Sequence, residues 1–145
     1  MLRVEEMSAE EARDLLRGAR FGHLACAHEN RPYVVPMNYA YDGEAVYFFT
    51  TEGTKTGYIE GNPEVCLQVE DVRDAHHWRS VIVRGRAERM REGQGMERAM
   101  QIITQSNPAL APAIEITRAD DNSPHAVAVY RIRPDSIDGR KTAAE

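Results

Sequence analysis

The feature that most constrains the fold is a pair of apolar runs that meet at Asp42-Gly43, in the stretch PYVVPMNYAYDGEAVYFFTTEGTKTGYIEGNP at residues 32–63. Asp-Gly between extended runs is the strongest short signal for a β-hairpin, because a type I′ turn needs positive φ twice. A two-residue turn would place Met37 opposite Phe48. Both hairpin faces would then be largely apolar. One face is expected to line a barrel or sandwich interior, and the other to lie under a helix, a ligand or a second subunit.

Further elements are predicted on both sides of this hairpin. Helices are expected at residues 8–17, 53–60 and 93–105, and further strands at 20–27, 64–70, 78–90 and 125–133. A turn is expected at residues 28–30, loops at 71–77 and 107–124, and a polar tail after residue 133. Ser8 and Glu11 form a capping-box pattern, and Gly18 is expected to end the first helix. Pro36 cannot donate to a ladder, so its strand should be interrupted or at an edge. Gly85 is expected to mark a bulge.

Tight connections between the first strands favour antiparallel pairing, which predicts a mainly β fold. The expected architecture is a small barrel with flanking helices outside it. At 145 residues the chain is expected to form a single domain, residues 1–145, that can bury a sizeable core unaided.

The charge and the cysteines of the sequence limit which partners and which cellular compartment we expect. The net charge is −5 without any Lys/Arg block, so nucleic acid is disfavoured as a partner. No apolar run approaches the roughly 20 residues that span a bilayer, and the acidic, amphipathic start is not typical of a signal peptide. Cys26 and Cys66 lack CxxC spacing, so neither a disulfide nor a zinc site is expected. These features predict a cytoplasmic protein without membrane contact.

The polar end of the hairpin is a candidate anion site. Thr50, Thr51, Thr54 and Thr56 surround Lys55 where a strand gives way to a short helix. Free N–H groups at a helix start attract anions, and hydroxyl and ammonium groups add donors. The glycine spacing of a phosphate-binding P-loop is absent. A capped helix in a polar loop remains the alternative interpretation.

Other polar residues carry weaker signals. His76 and His77 are adjacent and would point apart on a strand, so no metal site is predicted. Arg84 and Arg86 would share one strand face, where they could meet an acidic cofactor or pair with Glu88 and its neighbours. Neither a Ser/His/Asp nor a Cys/His arrangement has a local signature.

Several motifs occur together in a familiar order: FGHLAC, RPYVVPMNYAYDG, YFFTTEGTK, GNPEVCLQVE, WRSVIVRGRAE and the closing IRPDSIDGRK. With these motifs the chain resembles the pyridoxamine 5′-phosphate oxidase-like FMN-binding split barrels. The resemblance is to the small branch related to nitroimidazole resistance proteins, and it covers residues 21–88 best.

The resemblance implies a six-stranded antiparallel split β-barrel that forms a homodimer, with FMN held between the subunits. By family analogy the cofactor would be contacted by Met37 and Asn38 along the flavin ring, by Phe49, Thr50 and Thr51 with backbone and hydroxyl groups, by Lys55 at the phosphate, and by Ser80. The double-sided apolar hairpin independently favours a homodimer.

The sequence also departs from its relatives. Thr54 stands where family members commonly carry arginine, and Phe49 where nitroimidazole-resistance relatives often have histidine. The chain ends in GRKTAAE, without the Arg-x-His motif of the vitamin B6 oxidases, so oxidation of pyridoxamine phosphate is not predicted.

The predicted function is that of an FMN-dependent oxidoreductase acting on a small molecule, with a reduced nicotinamide as electron donor. No side chain is an obvious acid or base, so the flavin is expected to carry the chemistry. Two alternatives stay open at this point: a non-catalytic flavin- or haem-binding module, and a cofactor-free dimer that serves as an interaction platform.

Overall fold

The computed structural model describes residues 1–91, 95–110 and 127–143. In chain order the elements are β1 (Val4–Glu6), α1 (Ala9–Ala19), β2 (Phe21–His28), β3 (Arg31–Asn38), β4 (Ala40–Tyr41), β5 (Val46–Thr51), α2 (Thr54–Gly61), β6 (Glu64–Asp74), β7 (His77–Met90), α3 (Met96–Ser106), a 3-10 helix (Pro108–Leu110) and β8 (Val127–Thr142). Strands dominate, so the mainly β prediction is confirmed. Alongside six longer strands, β1 and β4 have only three and two residues.

The strands form one antiparallel sheet in the order β3-β2-β6-β7-β8-β5-β4, and β1 pairs with the far end of β8. Its two end strands, β3 and β4, are separated in the chain by Tyr39 alone. A sheet whose end strands are consecutive must bend back on itself, since one residue spans only about 3.5 Å. The hydrogen-bonded path stays open between β3 and β4, as in a split barrel.

The connection at Asp42-Gly43 is not the predicted two-residue turn. Residues 42–45 lie between the paired ends of β4 and β5. The Asp42 carboxylate accepts hydrogen bonds from the N–H groups of Glu44 and Ala45, both at 2.8 Å. Gly43 has a positive φ of 95°, whereas Asp42 does not. A type I′ turn at this dipeptide needs positive φ at both. The N–H of Asp42 instead donates to the carbonyl oxygen of Ala45 at 3.2 Å, so the turn is centred one residue later, on Gly43 and Glu44.

The first apolar run has a different partner from the one predicted. Met37 belongs to β3, which pairs with β2, so it does not face Phe48. The tight turn lies between β2 and β3, where Glu29 and Asn30 both have positive φ, at 52° and 63°. Pro36 lies in β3 at the end of the sheet, so its predicted edge position is confirmed.

Two apolar clusters lie on opposite faces of β5. Val46 and Phe48 face the large cluster inside the curved sheet. Tyr47 and Phe49 face a second cluster, which α3 covers with Ala99, Met100 and Ile103. We predicted that the second face of the hairpin lies under a helix, a ligand or a second subunit. For β5 this is confirmed, because α3 covers that face.

Helix α1 is longer than predicted. Its capping box is present: Ser8 Oγ accepts from the N–H of Glu11 at 3.1 Å, and the Glu11 carboxylate accepts from the N–H of Ser8 at 3.3 Å. Gly18, however, lies inside the helix. The left-handed residue that follows the helix is Arg20, with φ 61°, so the prediction that glycine ends it was wrong.

Strands β6 and β8 run beyond their apolar segments. β6 continues to Asp74, so most of the loop predicted at residues 71–77 is strand. β8 continues to Thr142, where a polar tail was expected, because β7 is long enough to pair with it throughout. A register shift occurs at Gly85 as predicted, but the unpaired residue is Asp135 on β8.

Two predicted boundaries fall partly outside the described residues. The described part of the third helix begins at Met96, and the predicted start at residue 93 lies outside the described residues. The same holds for residues 111–124 of the predicted loop and for the first residues of the last strand. Within the described ranges, no helix is both long enough and apolar enough to cross a bilayer.

Candidate functional site

Four predicted site residues come together where β5 ends and α2 begins. Thr50 and Thr51 are the last residues of β5, and Lys55 and Thr56 lie in the first turn of α2. Thr50 and Thr56 are buried, Lys55 is half-buried and Thr51 is exposed. The polar end of the hairpin is thus a compact strand-to-helix connection, as the sequence predicted.

The hydroxyl of Thr56 is committed to the start of the helix. It donates to the carbonyl oxygen of Gly53 at 2.8 Å and accepts from the N–H of Gly53 at 2.9 Å. The space around Gly53 is open, since a Cβ there would meet nothing within 4 Å. The next N–H groups of α2 have no acceptor inside the helix. Thr56 therefore caps α2, and the N–H groups after Gly53 point to an accessible surface that suits an anion.

Lys55 contributes a positive charge that no described residue pairs with. Its ammonium group has neither an ion pair nor a hydrogen bond among the described residues. Helix α2 packs against β2, which carries Cys26. Burial raises the pKa of the Cys26 thiol, and the nearby charge of Lys55 opposes that rise. Between the same two elements, the ring of Tyr58 lies 6.1 Å from that of His28.

Arg89, on β7, binds α2 on another side. Its guanidinium group forms an ion pair with Glu52, just before α2, and a second with Glu60, at 3.2 Å, near the helix end. Burial would lower the pKa of Arg89, but the hydrogen bond to Glu52 and its charge raise it overall. Sequence reasoning missed this cluster, because only the pairing of β5 with β8 and of β8 with β7 brings these residues together.

Tyr130 lies beside this cluster, inside the sheet. Its ring stacks on that of Phe48 with 5.2 Å between the centroids. Its hydroxyl is buried and has no hydrogen-bond partner among the described residues. Burial raises the pKa of Tyr130, and the nearby charge of Arg89 partly opposes the rise.

The side chains of three predicted flavin-contacting residues do not converge. Met37 is buried in the large apolar cluster, whereas Asn38, its neighbour on β3, is exposed on the opposite face. Phe49 packs against the cluster under α3. Of these three, only Asn38 presents its side chain to solvent, and Phe49 could reach a ligand through its backbone alone.

Ser80 lies on the outer face of β7, apart from α2. Its hydroxyl accepts a hydrogen bond from Nε2 of Gln68 at 3.0 Å. It lines a cavity of about 570 Å³ together with Trp78, Arg84 and Arg140. The predicted site residues therefore form two groups, one at the start of α2 and one, Asn38 and Ser80, on the outer face of the sheet, whereas Met37 and Phe49 pack in the apolar clusters.

The arginines and histidines singled out in the sequence have other roles. Arg86 pairs with Glu64 at 2.8 Å, and Arg84 pairs with Asp138 at 3.7 Å, so neither pairs with Glu88. Nδ1 of His77 lies 2.8 Å from the carboxylate of Asp74. In the part of the chain that the structure describes, no group of three or more His, Cys, Asp or Glu side chains could hold a metal ion.

An open antiparallel sheet that curves into a barrel, with helices outside it, defines the class of split-barrel proteins. The sequence matches the pyridoxamine 5′-phosphate oxidase family over residues 8–141. The chain therefore belongs to that family, and the resemblance inferred from its motifs is confirmed. A curated relative, an uncharacterised protein of Rhizobium meliloti (strain 1021), is 35% identical over 92 residues. That alignment covers 63% of this chain and 61% of the relative, which is less than two thirds of its length.

Solved structures agree with the fold. A FAD-binding protein of Mesorhizobium loti is 29% identical, with a TM-score of 0.81 over 99% of this chain and 100% of that one. A protein of Bacteroides thetaiotaomicron attributed to 5-nitroimidazole antibiotic resistance gives 0.74 at 20% identity, over 100% and 93% of the two chains. The FAD-binding protein of Mycobacterium smegmatis gives 0.67 at 24% identity, over 96% and 98%. The last two likenesses concern the fold alone.

Proposed function

We propose that this protein binds FMN, with the phosphate at the start of α2. The observation that carries the proposal is the uncompensated ammonium group of Lys55 beside the unpaired N–H groups that follow Gly53. Thr51 adds an exposed hydroxyl at the end of β5. These donors fit a phosphate. Further support comes from the Mesorhizobium loti protein, which is described as FAD-binding.

The donor set favours FMN over FAD. The terminal phosphate of FMN is a monoester that carries between one and a half and two negative charges at about pH 7, like a phosphorylated side chain. The diphosphate of FAD has no such terminal group. A single ammonium group at an open helix start suits a terminal phosphate, and Gly53 leaves room for it.

The protein is proposed to act as a homodimer. On the outer face of the sheet, Val34 is 62% exposed and Phe21 is 51% exposed, with Pro36 and Asn38 beside them. Such an apolar face on a curved sheet is suited to cover by a second copy. The α3 helix covers the outer faces of β4, β5 and the neighbouring part of β8 but not β3, so the hairpin argument for a dimer now rests on β3.

A dimer would also unite the two groups of site residues. Cys26, near Lys55, lies opposite Val65 on β6, whereas Ser80 lies opposite Glu70. Ser80 is thus two strands away and farther along the sheet, at about 10 Å across and about 17 Å along by standard strand spacings. Its side chain also points outward. Ser80 is therefore proposed to contact the flavin that the second copy holds.

The proposed activity is that of an oxidoreductase. When bound, the flavin supplies two-electron chemistry, and a reduced nicotinamide is the proposed electron donor. The side chains of this protein would bind and orient the cofactor: Lys55 and Thr51 at the phosphate of one flavin, and Asn38 and Ser80, both on the outer face of the sheet, at the ring of the flavin that the second copy holds. The substrate is proposed to be a small molecule.

The test of the cofactor is the absorption spectrum and mass of whatever copurifies with the protein. The expected result is a flavin spectrum and the mass of FMN in the denatured supernatant. If the mass is that of FAD, then FAD replaces FMN in the proposal. A Soret band would indicate a haem module instead, and a colourless protein that takes up neither flavin would refute flavin binding. If added reduced nicotinamides do not reduce the bound flavin, that result would argue against the proposed electron donor.

The test of the dimer is light scattering at micromolar concentration. We expect the mass of two chains, and we expect Val34→Asp to yield one chain. Val4→Asp, at a 43% exposed valine on β1, serves as the control and should leave the dimer intact. A wild-type monomer would refute both the dimer and the role of Ser80 across it.

A further inference from the structure

The connection before α2 carries an acidic residue that ought to disturb an anion site. Glu52 is separated from Lys55 by Gly53 and Thr54 only. An unpaired carboxylate at this distance would repel a phosphate, and at a spacing of three residues it could itself bind the lysine. Yet no ion pair joins Glu52 to Lys55 among the described residues. A residue distant in the sequence must therefore hold the carboxylate elsewhere.

Arg89 is that residue. Its guanidinium group binds the Glu52 carboxylate from β7, and the side chain of Arg89 is only 26% exposed. The same group reaches Glu60 at 3.2 Å, so one arginine contacts both flanks of α2. Because a partly buried pair is screened less than an exposed one, Glu52 is neutralised by a well-held partner.

We propose that Arg89 is a positioning residue for the phosphate site: it neutralises Glu52 and so keeps Lys55 available to the anion. This inference rests on the proposed binding of FMN. Arg89 does not itself touch the ligand in this arrangement. Its effect reaches the phosphate through Glu52, and it should therefore distinguish a phosphorylated flavin from an unphosphorylated one.

The experiment measures the affinities of FMN and riboflavin for flavin-free wild type, Arg89→Gln, Glu52→Gln and the double variant. Arg89→Gln should weaken FMN binding about five- to tenfold, as expected for one uncompensated charge within about a Debye length. Riboflavin affinity should change less than about twofold, because it lacks the phosphate. The double variant should return to within about threefold of the wild-type FMN affinity, since neither charge remains.

Two further variants separate neutralisation of Glu52 from general anchoring of the helix. Glu60→Gln removes the other carboxylate partner of Arg89, at the far end of α2, and should leave the ratio of FMN to riboflavin affinity within about twofold of wild type. Arg89→Lys retains the charge and should preserve most of the FMN affinity. If Arg89→Gln does not fold, the double variant, which leaves no unpaired charge at Glu52, still supplies the comparison.

Each outcome supports or overturns a distinct claim. A selective loss of FMN affinity in Arg89→Gln, restored in the double variant, supports the positioning role. Equal losses for both flavins, or a double variant whose FMN-to-riboflavin ratio stays more than about fivefold below wild type, would overturn it and leave FMN binding intact. A wild-type protein that binds neither flavin would overturn the proposed function and this inference together.

Discussion

Replacing Lys55 by alanine is the sharpest test of the phosphate assignment. The ammonium group has no competing partner in the described residues, so its whole interaction with a phosphate is lost on mutation. A charge-assisted hydrogen bond contributes about 1.5–3 kcal/mol. FMN affinity should therefore fall about ten- to a hundredfold, or slightly more. Riboflavin should bind the wild type and Lys55→Ala almost equally, because it lacks the group that the lysine contacts.

Stability gives an independent readout of the same change. Lys55 is half-buried and makes no ion pair among the described residues, so its loss should barely alter the free energy of unfolding. Lys141 is the only other lysine in the chain, and it binds Glu11 at 2.6 Å. Lys141→Ala removes the same net charge, but it should lower stability and leave the ratio of FMN to riboflavin affinity unchanged.

Fluorescence titration of both flavins into the wild type and both variants, with thermal unfolding of each protein, completes the assay. A merely structural lysine would weaken both flavins alike, or neither. The reasoning is refuted if the FMN-to-riboflavin ratio of Lys55→Ala equals that of the wild type. It is also refuted if Lys141→Ala lowers that ratio as much, because the effect would then reflect net charge alone.

Two further predictions concern stability. Gly22→Ala should destabilise the fold by about 3 kcal/mol or more, because its Cβ would lie 2.5 Å from the carbonyl oxygen of Gln68. Gly18→Ala is the matched control. Because a Cβ at this position in α1 has open space, the substitution should stabilise the fold by about 0.5–1 kcal/mol. Denaturant titration of both variants measures the difference in their free energies of unfolding. The hydrogen bond from Lys141 holds the pKa of Glu11 below its ordinary value of 4.5, so its stabilisation is present above that pH and is lost as pH falls through the lowered pKa. The difference in Tm between wild type and Glu11→Gln should accordingly shrink on acidification, and a difference that grew would contradict the assignment.

The sequence specified the type of the elements better than their partners. The apolar runs around Asp42-Gly43 were recognised as strands, but their register was wrong. The carboxylate of Asp42 accepts from two backbone N–H groups, and the turn is centred one residue later than predicted. The turn predicted at residues 28–30 is confirmed: it is a tight turn of Glu29 and Asn30, although neither residue is glycine. Turn chemistry depends on local hydrogen bonds of side chains, which dipeptide patterns represent only in part.

Strand length depended on long-range pairing that periodicity does not report. The second half of β8, residues 134–142, alternates poorly and was predicted as a polar tail. It is a strand because β7 offers it a ladder, while Met7 is held against it by the hydrogen bond from its N–H to the carbonyl oxygen of Gly139. Polar residues adopt extended structure where a neighbouring strand satisfies their backbone groups.

The candidate site, like the fold, could be predicted only in part from the sequence. Thr50, Thr51 and Lys55 were predicted because they are contiguous in the sequence, so a helix start and its donors could be recognised together. The pairing of Arg89 with Glu52 was not predictable, since it joins residues on strands that meet only through β8. Similarly, the outward position of Ser80 follows from the register of β7 and not from any motif.

The net charge of residues 52–60 explains why the sequence alone gives only a weak signal for an anion site. Residues 52–60 hold two carboxylates, those of Glu52 and Glu60, and one ammonium group, that of Lys55, so alone they carry one net negative charge. An isolated peptide of this composition has no reason to attract a phosphate. The guanidinium group of Arg89 binds both carboxylates and brings the local sum to zero, so the carboxylates no longer outweigh the ammonium group of Lys55 and the helix N–H groups. Affinity for an anion at this point is therefore expected to depend on the contacts of Arg89 with Glu52 and Glu60, and a variant that removes them should lose phosphate selectivity before it loses the fold.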